Sequence, residues 1–227
     1  ITNDNPAVVT ITDHPFANGD LIKIRNVGGM TELNTLNKGY FMVMNAGLDT
    51  FELYLTDGTT TVDSTSYGAY TSGGTVQKVT KTVNGLNHLE GATVDILGDS
   101  ATHPQKTVSS GQITLDRYAN KVHVGLHNTA KLKPMRLLPA GRHKRIVDAI
   151  MRFYRTLGCK IGPSESNLQT VIFRSGNDPM DSPPPLFSGE KVETFPNNWG
   201  RGGDFILVQD QPLPVSLTAL IMGVETE

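Results

Sequence analysis

Six histidines, one cysteine and 22 acidic residues are the groups in this 227-residue chain that could carry chemistry, and their spacing limits what they can do. His123 and His127 are four apart, which on a helix would put both imidazoles on one face, within reach of a shared metal ion. The surrounding Lys121-Val-His-Val-Gly125 alternates as a strand does, and four residues of strand span roughly 13 Å, too far for one ion. No metal site is expected. His88 stands two residues before Glu90, so it could be a general base steered by a carboxylate. No nucleophile or second carboxylate has a position fixed by the sequence there, and His88 reads as a hairpin-end histidine bonded to backbone. Cys159, the only cysteine, lies between apolar Leu157-Gly158 and Lys160-Ile161 and reads as a buried structural thiol. With a single cysteine, no intrachain disulfide and no multi-cysteine zinc site can form.

Paired carboxylates that cleave sugars are set by the fold and leave little trace in sequence. Aromatic residues are 7% of the chain, with one tryptophan, Trp199, which is little stacking surface for a sugar-cleaving groove. Gly200-Arg-Gly-Gly203 lacks the Lys-Ser/Thr ending of a P-loop, and no Gly-x-Gly-x-x-Gly opens a helix. No catalytic residue and no cofactor site is therefore expected.

Two segments suit contact better than catalysis. Arg142, Lys144, Arg145, Arg152 and Arg155, with His143, form a basic cluster that would face an acidic partner or a polyanion, or else be a solvated helix face partly neutralised by Asp148. In Asp178-Pro-Met-Asp-Ser-Pro-Pro-Pro-Leu-Phe-Ser-Gly189 the prolines remove donors and fix φ, so an extended polyproline-type arm is expected. Met180, Pro184, Leu186 and Phe187, with Trp199 beyond, would be its contact residues. Either the arm docks on an adjacent subunit or it folds onto its own domain.

The elements that would position these groups are mostly strands. Twenty-three glycines and 13 prolines imply many tight turns, and 37% hydrophobic residues suffice for a packed core. The net charge of −2 gives no global reason to bind nucleic acid or anionic membrane, and no apolar run is long enough to span a bilayer. Strands are expected at 7–12, 20–25, 40–45, 50–55 and 74–79, joined by Asn18-Gly19, Gly28-Gly29, Asp57-Gly58 and Gly73-Gly74, making a small barrel over 1–80. A β-rich, sandwich- or barrel-like body follows over 81–227, with strands at 92–97, 104–108, 111–115, 121–126, 168–174, 204–210 and 214–222. Within 142–157, Ile146, Ile150, Phe153, Tyr154 and Leu157 recur at helical spacing between Gly141 and Gly158, which predicts one amphipathic helix. The stretch 175–203 reads as a long irregular loop. The chain opens at Ile1 without methionine, as an excised part of a longer polypeptide would.

Two stretches carry a family likeness. Asn5-Pro-Ala-Val-Val-Thr-Ile-Thr-Asp-His-Pro-Phe-Ala-Asn-Gly-Asp20 and its continuation to Asn34 resemble the small β-barrel module named after the first catalytic-cysteine half-domain of the ubiquitin-activating enzyme, a module that also recurs in phage tail proteins. Gly85-Leu-Asn-His-Leu-Glu-Gly-Ala-Thr-Val-Asp-Ile-Leu97, the proline-rich segment and Gln209-Asp-Gln-Pro-Leu-Pro-Val215 resemble the C-terminal half of structural proteins of short-tailed phages. The likeness implies a non-enzymatic virion protein of the nozzle or tail-tubular type. It further implies a homo-oligomeric ring, most often hexameric, around the DNA exit channel, with adaptor and fibre proteins as neighbours and non-specific contact with transiting DNA. The alternatives are a receptor- or carbohydrate-binding module of a tail fibre, which would need Tyr40, Tyr54, Tyr67, Tyr70 and Trp199 along one groove, or a tail depolymerase.

Overall fold

The computed structural model describes residues 1–135, 142–178, 182–195 and 199–227. The chain is mainly β. Its strands are β1 (Val8–Thr10), β2 (Leu21–Gly28), β3 (Tyr40–Met44), β4 (Thr50–Tyr54), β5 (Ser72–Lys78), β6 (Thr80–Val83), β7 (Thr93–Gly98), β8 (Ala101–Thr107) and β9 (Ile113–Ala119). They continue as β10 (Val122–Leu126), β11 (Ala130–Leu132), β12 (Lys144–Thr156), β13 (Lys160–Ser164), β14 (Asn167–Thr170), β15 (Phe187–Thr194), β16 (Ile206–Gln209) and β17 (Leu217–Thr226). Among the described residues a single short α-helix, α1, covers Glu32–Thr35. Contacts divide the chain into Ile1–Val83 with Thr114–Lys121, and Asn84–Ile113 with Val122–Glu227.

In the first unit an antiparallel sheet runs in the order β1-β4-β3-β2-β5. Alternation along the strands turns Ile22, Ile24, Phe41, Val43, Phe51 and Leu53 inward, all fully buried. Each such side chain contributes about 1.5–3 kcal/mol through removal from water. The Asn34 amide of α1 accepts from Val27 N and donates to Val27 O, both at 2.9 Å, and so pins the helix to β2. The edge strands β1 and β5 do not pair with each other. The expected closed barrel is therefore an open sheet. At the expected boundary near residue 80 lies β6, which pairs with β9. Tyr118 of β9 lies against Tyr40 of β3 with ring centroids 4.8 Å apart.

The second unit holds three antiparallel sheets, β10-β7-β8, β11-β16-β13-β14 and β15-β12-β17. Ile146, Met151, Phe153, Ile161, Phe173 and Phe205 lie in its core. The helix expected over 142–157 is instead the 13-residue strand β12, paired to β15 on one side and β17 on the other. Its buried positions are Lys144, Ile146, Ala149, Met151, Phe153 and Thr156. Register slips fall between Ile146 and Asp148 and between Phe153 and Thr156. A bulge adds one residue to the period of two, so an inward step of three appears at each slip, and Arg155 takes φ +49° at the second. The expected helical set mixed the two faces of this strand: Ile146 and Phe153 are buried, whereas Ile150 and Tyr154 lie on the opposite face. The loop expected over 175–203 contains β15, which alternates inward Phe187, Gly189, Lys191 and Glu193 with outward Ser188, Glu190, Val192 and Thr194.

Candidate assembly surface

One face of the β15-β12-β17 sheet packs on the core through Phe187, Met151, Leu217, Leu220, Met222 and Val224. The other face presents side chains outward in rows set by the register. Ile150 stands opposite Val192 on β15 and Ile221 on β17. Directly opposed side chains in antiparallel strands sit close enough to pack, so the three make a continuous apolar row. Val192 is 64% exposed and Ile221 58%, with Tyr154 further along β12 at 58%. Polar rows flank it. Arg152 bonds Glu190 at 3.0 Å through Nε, and Arg145 bonds Glu225 at 2.9 Å. Exposed pairs such as these contribute at most about 1 kcal/mol each and mainly keep the flanks wet. Among the described residues β15 and β17 pair only with β12, so the outer edge of the ten-residue β17 carries unpaired backbone groups, the kind of edge that takes another strand.

The contact residues expected from the sequence lie around this sheet. Phe187 opens β15 and faces inward, its ring 5.8 Å from Phe173 with Lys191 Nζ 5.0 Å from the ring centre, which is the placement of an arm folded onto its own unit. Pro184 and Leu186, with Pro183 and Pro185, line a groove of about 460 Å³ that they share with Leu97, Leu157 and Pro214. Leu186 is 41% exposed. Met180 lies outside the described residues, as does Gly141. Trp199 is 43% exposed and stacks with the Arg145 guanidinium, 5.6 Å from its ring centre.

The basic residues do not form one face. Arg142 is exposed, Lys144 is buried and exchanges backbone hydrogen bonds with Gly200, and Arg145 and Arg152 are paired to carboxylates of their own sheet. Arg155 sits at the bulge, its amide donating to the Ser188 hydroxyl at 3.0 Å. The cluster was legible only as a helical face, and the strand disperses it.

The Gly85–Leu97 motif is a clamp. Glu90 accepts from the Ser110 and Gly111 amides at 2.9 and 2.7 Å, one on each carboxylate oxygen. Leu86 N donates to Gly111 O at 2.8 Å and Gly91 N to Val108 O at 3.1 Å. Ser110 and Gly111 have φ of +54° and +66°, as the expected hairpin turn requires. Gly111's positive φ favours glycine, and a Cβ there would come 1.9 Å from Asn87 Oδ1, forcing the Asn87 side chain aside. His88 sits exposed in a 3-10 turn, and the carboxylate that could have steered it is engaged with backbone.

Cys159 is buried, and burial, with the Glu193 charge adding to it, pushes its thiol up to about 12. It stays protonated at neutral pH, consistent with a structural role. Of the tyrosines weighed for a sugar groove, Tyr40 lies against Tyr118 and Tyr67 packs on the core of the first unit. Among the described residues no three His, Cys, Asp or Glu side chains come together as a metal site, and no helix is long and apolar enough to cross a membrane. His127 instead bonds Asp95 of β7 at 2.8 Å, an arrangement that the sequence did not point to.

Residues 4–80 match the FCCH domain of the ubiquitin-activating enzyme E1, the likeness read from Asn5–Asn34, over about a third of the chain. Among curated proteins none matches this chain.

Proposed function

We propose that this chain is a structural component of a phage virion tail, of the nozzle or tubular type, that works by subunit assembly around the DNA exit channel. The observation that carries the reading is the solvent-facing Val192-Ile150-Ile221 row on a sheet whose outer strands pair only with β12 among the described residues, in a chain whose 85–97, 178–189 and 209–215 stretches resemble short-tailed phage structural proteins. An apolar row with polar flanks is what a subunit contact buries, and single apolar side chains on a surface would need no such explanation. The residues that carry the likeness fit the same reading, because Glu90 and Gly111 shape a turn. A homo-oligomeric ring, with adaptor and fibre proteins as neighbours, follows from that likeness. Contact with transiting DNA would fall to Arg142 and Arg155, since Arg145 and Arg152 are already paired.

The test uses the full polypeptide that contains this chain, sized by analytical ultracentrifugation and viewed by negative stain. Rings are expected, and Val192→Asp with Ile221→Asp should abolish them while leaving the monomer's melting temperature within about 2 °C, as surface substitutions do. A polypeptide that stays monomeric at high concentration, or rings that persist in the double variant, would overturn the reading. Selective binding to host glycans in an array, with no assembly, would favour the fibre module instead.

A further inference from the structure

Asp95, His127 and Thr129 form a relay. Asp95 stands on β7 with its side chain 11% exposed, and its Oδ2 is 2.8 Å from His127 Nδ1. Its Oδ1 accepts from the Gln105 amide at 2.7 Å, which fixes the carboxylate plane. On the far side of the ring, His127 Nε2 lies 3.1 Å from Thr129 Oγ1. The Gln105 amide nitrogen also lies 3.4 Å from Nδ1, but the carboxylate at 2.8 Å is the nearer partner and can only accept, so Nδ1 carries the proton. In the neutral ring Nε2 is then a bare acceptor, and the Thr129 hydroxyl must donate to it. A hydroxyl donating to an imidazole that a carboxylate holds in this tautomer is the arrangement by which an alcohol becomes a nucleophile.

The hydroxyl has room in front of it. His127 and Thr129 line a cavity of about 360 Å³ whose walls include apolar Leu168 and Val208 and the Lys131 ammonium, which pairs with Glu165 at 2.7 Å. The lining is part apolar and part charged, suited to a small acyl group with a polar leaving group.

We propose that Thr129 accepts acyl groups from small carboxylic esters, with His127 as general base and Asp95 as its positioning residue. Thr129 Oγ attacks the acyl carbon and its proton passes to His127 Nε2. The ester C–O bond breaks, the leaving alkoxide takes that proton, and an acyl-threonine and an alcohol result. Water, deprotonated by His127, then attacks the acyl carbon, releasing a carboxylic acid and restoring the hydroxyl. The activity would be additional to assembly and independent of it.

The experiment incubates the chain with p-nitrophenyl acetate, follows nitrophenol release, and maps acetylation by mass spectrometry. A burst approaching one equivalent is expected, with the acetyl group on Thr129. Thr129→Val, which removes only the hydroxyl, should cut the rate at least about 100-fold, as should His127→Gln. Asp95→Asn should lower kcat with KM unchanged, a split that a merely structural role would not give. Acetylation confined to Lys131 or other side chains, or a Thr129→Val rate equal to that of the parent chain, would overturn the proposal, and neither result bears on ring formation.

Discussion

Replacing Glu90 by glutamine exchanges one carboxylate oxygen for an NH₂ group and should test the clamp directly. The carboxylate accepts one backbone N–H on each oxygen, at 2.9 and 2.7 Å. Glutamine keeps a single acceptor, and its NH₂ group then faces an amide that also donates. Hydrogen bonds to a charged acceptor contribute roughly 1.5–3 kcal/mol, and partial exposure of this turn argues for the lower end. One bond lost and one donor left against a donor give about 2 kcal/mol. That is a factor of about 30 in the folding equilibrium. Trp199, the sole tryptophan, belongs to the same unit as Glu90, so its fluorescence during urea unfolding reports on the relevant structure. With a slope of roughly 2 kcal/mol/M the midpoint should fall by about 1 M. His88→Ala is the internal comparison, expected within about 0.5 kcal/mol because its side chain is exposed. If the histidine variant loses more stability than the glutamine variant, His88 and not Glu90 organises the motif and the argument fails.

Phe187→Ala should lower the stability of the isolated chain by about 2–3 kcal/mol, less than a fully buried phenylalanine because the ring is partly exposed, and calorimetry showing an unchanged melting temperature would place the ring off its own core. Cys159 should resist Ellman's reagent in the native state at pH 8 and react fully in guanidinium, since its thiol is held near 12; prompt native labelling would contradict its burial. Asp57 is held at about 2, below its ordinary 3.8, chiefly by the Thr60 hydroxyl and then by the Thr60 and Thr59 amides. Its stabilising contribution is thus fully present above its ordinary value and lost as pH falls through about 2, so the stability gap between the parent chain and Asp57→Asn should close across that window in acid titrations, and a gap independent of pH would refute the assignment.

Strands bounded by tight turns were the legible part of this fold. Val8–Thr10, Tyr40–Met44 and Thr50–Tyr54 fall inside the expected runs because one buried face enforces strict alternation. β12 escaped for a physical reason: it carries apolar residues on both faces, so inward Ile146 and Phe153 together with outward Ile150 and Tyr154 satisfy a helical period, and its bulges blur the strict alternation that would have marked a strand. β15 was hidden because Pro183, Pro184 and Pro185 run directly up to it and Gly189 lies within it, while Phe187, Lys191 and Glu193 alternate with Ser188, Glu190 and Val192 in plain sequence. The assembly row was illegible because it depends on register, bringing Val192 and Ile221 to opposite sides of Ile150 from distant segments. The relay was equally invisible, for Asp95 precedes His127 by 32 residues and only the β7-β10 pairing brings them together.

The return of Thr114–Lys121 to the first unit has a consequence for the order in which the protein can be made. A chain emerging from the ribosome has delivered Val83 well before the segment that stacks Tyr118 on Tyr40 exists. At 5–20 residues per second the 38 residues from 83 to 121 take about 2–8 s, long compared with hairpin formation. During that interval β7 and β8 of the second unit are already synthesised and free to pair. Vectorial synthesis therefore cannot finish the first unit before starting the second, and the two must mature in overlapping time, with β9 as the last piece of the earlier one.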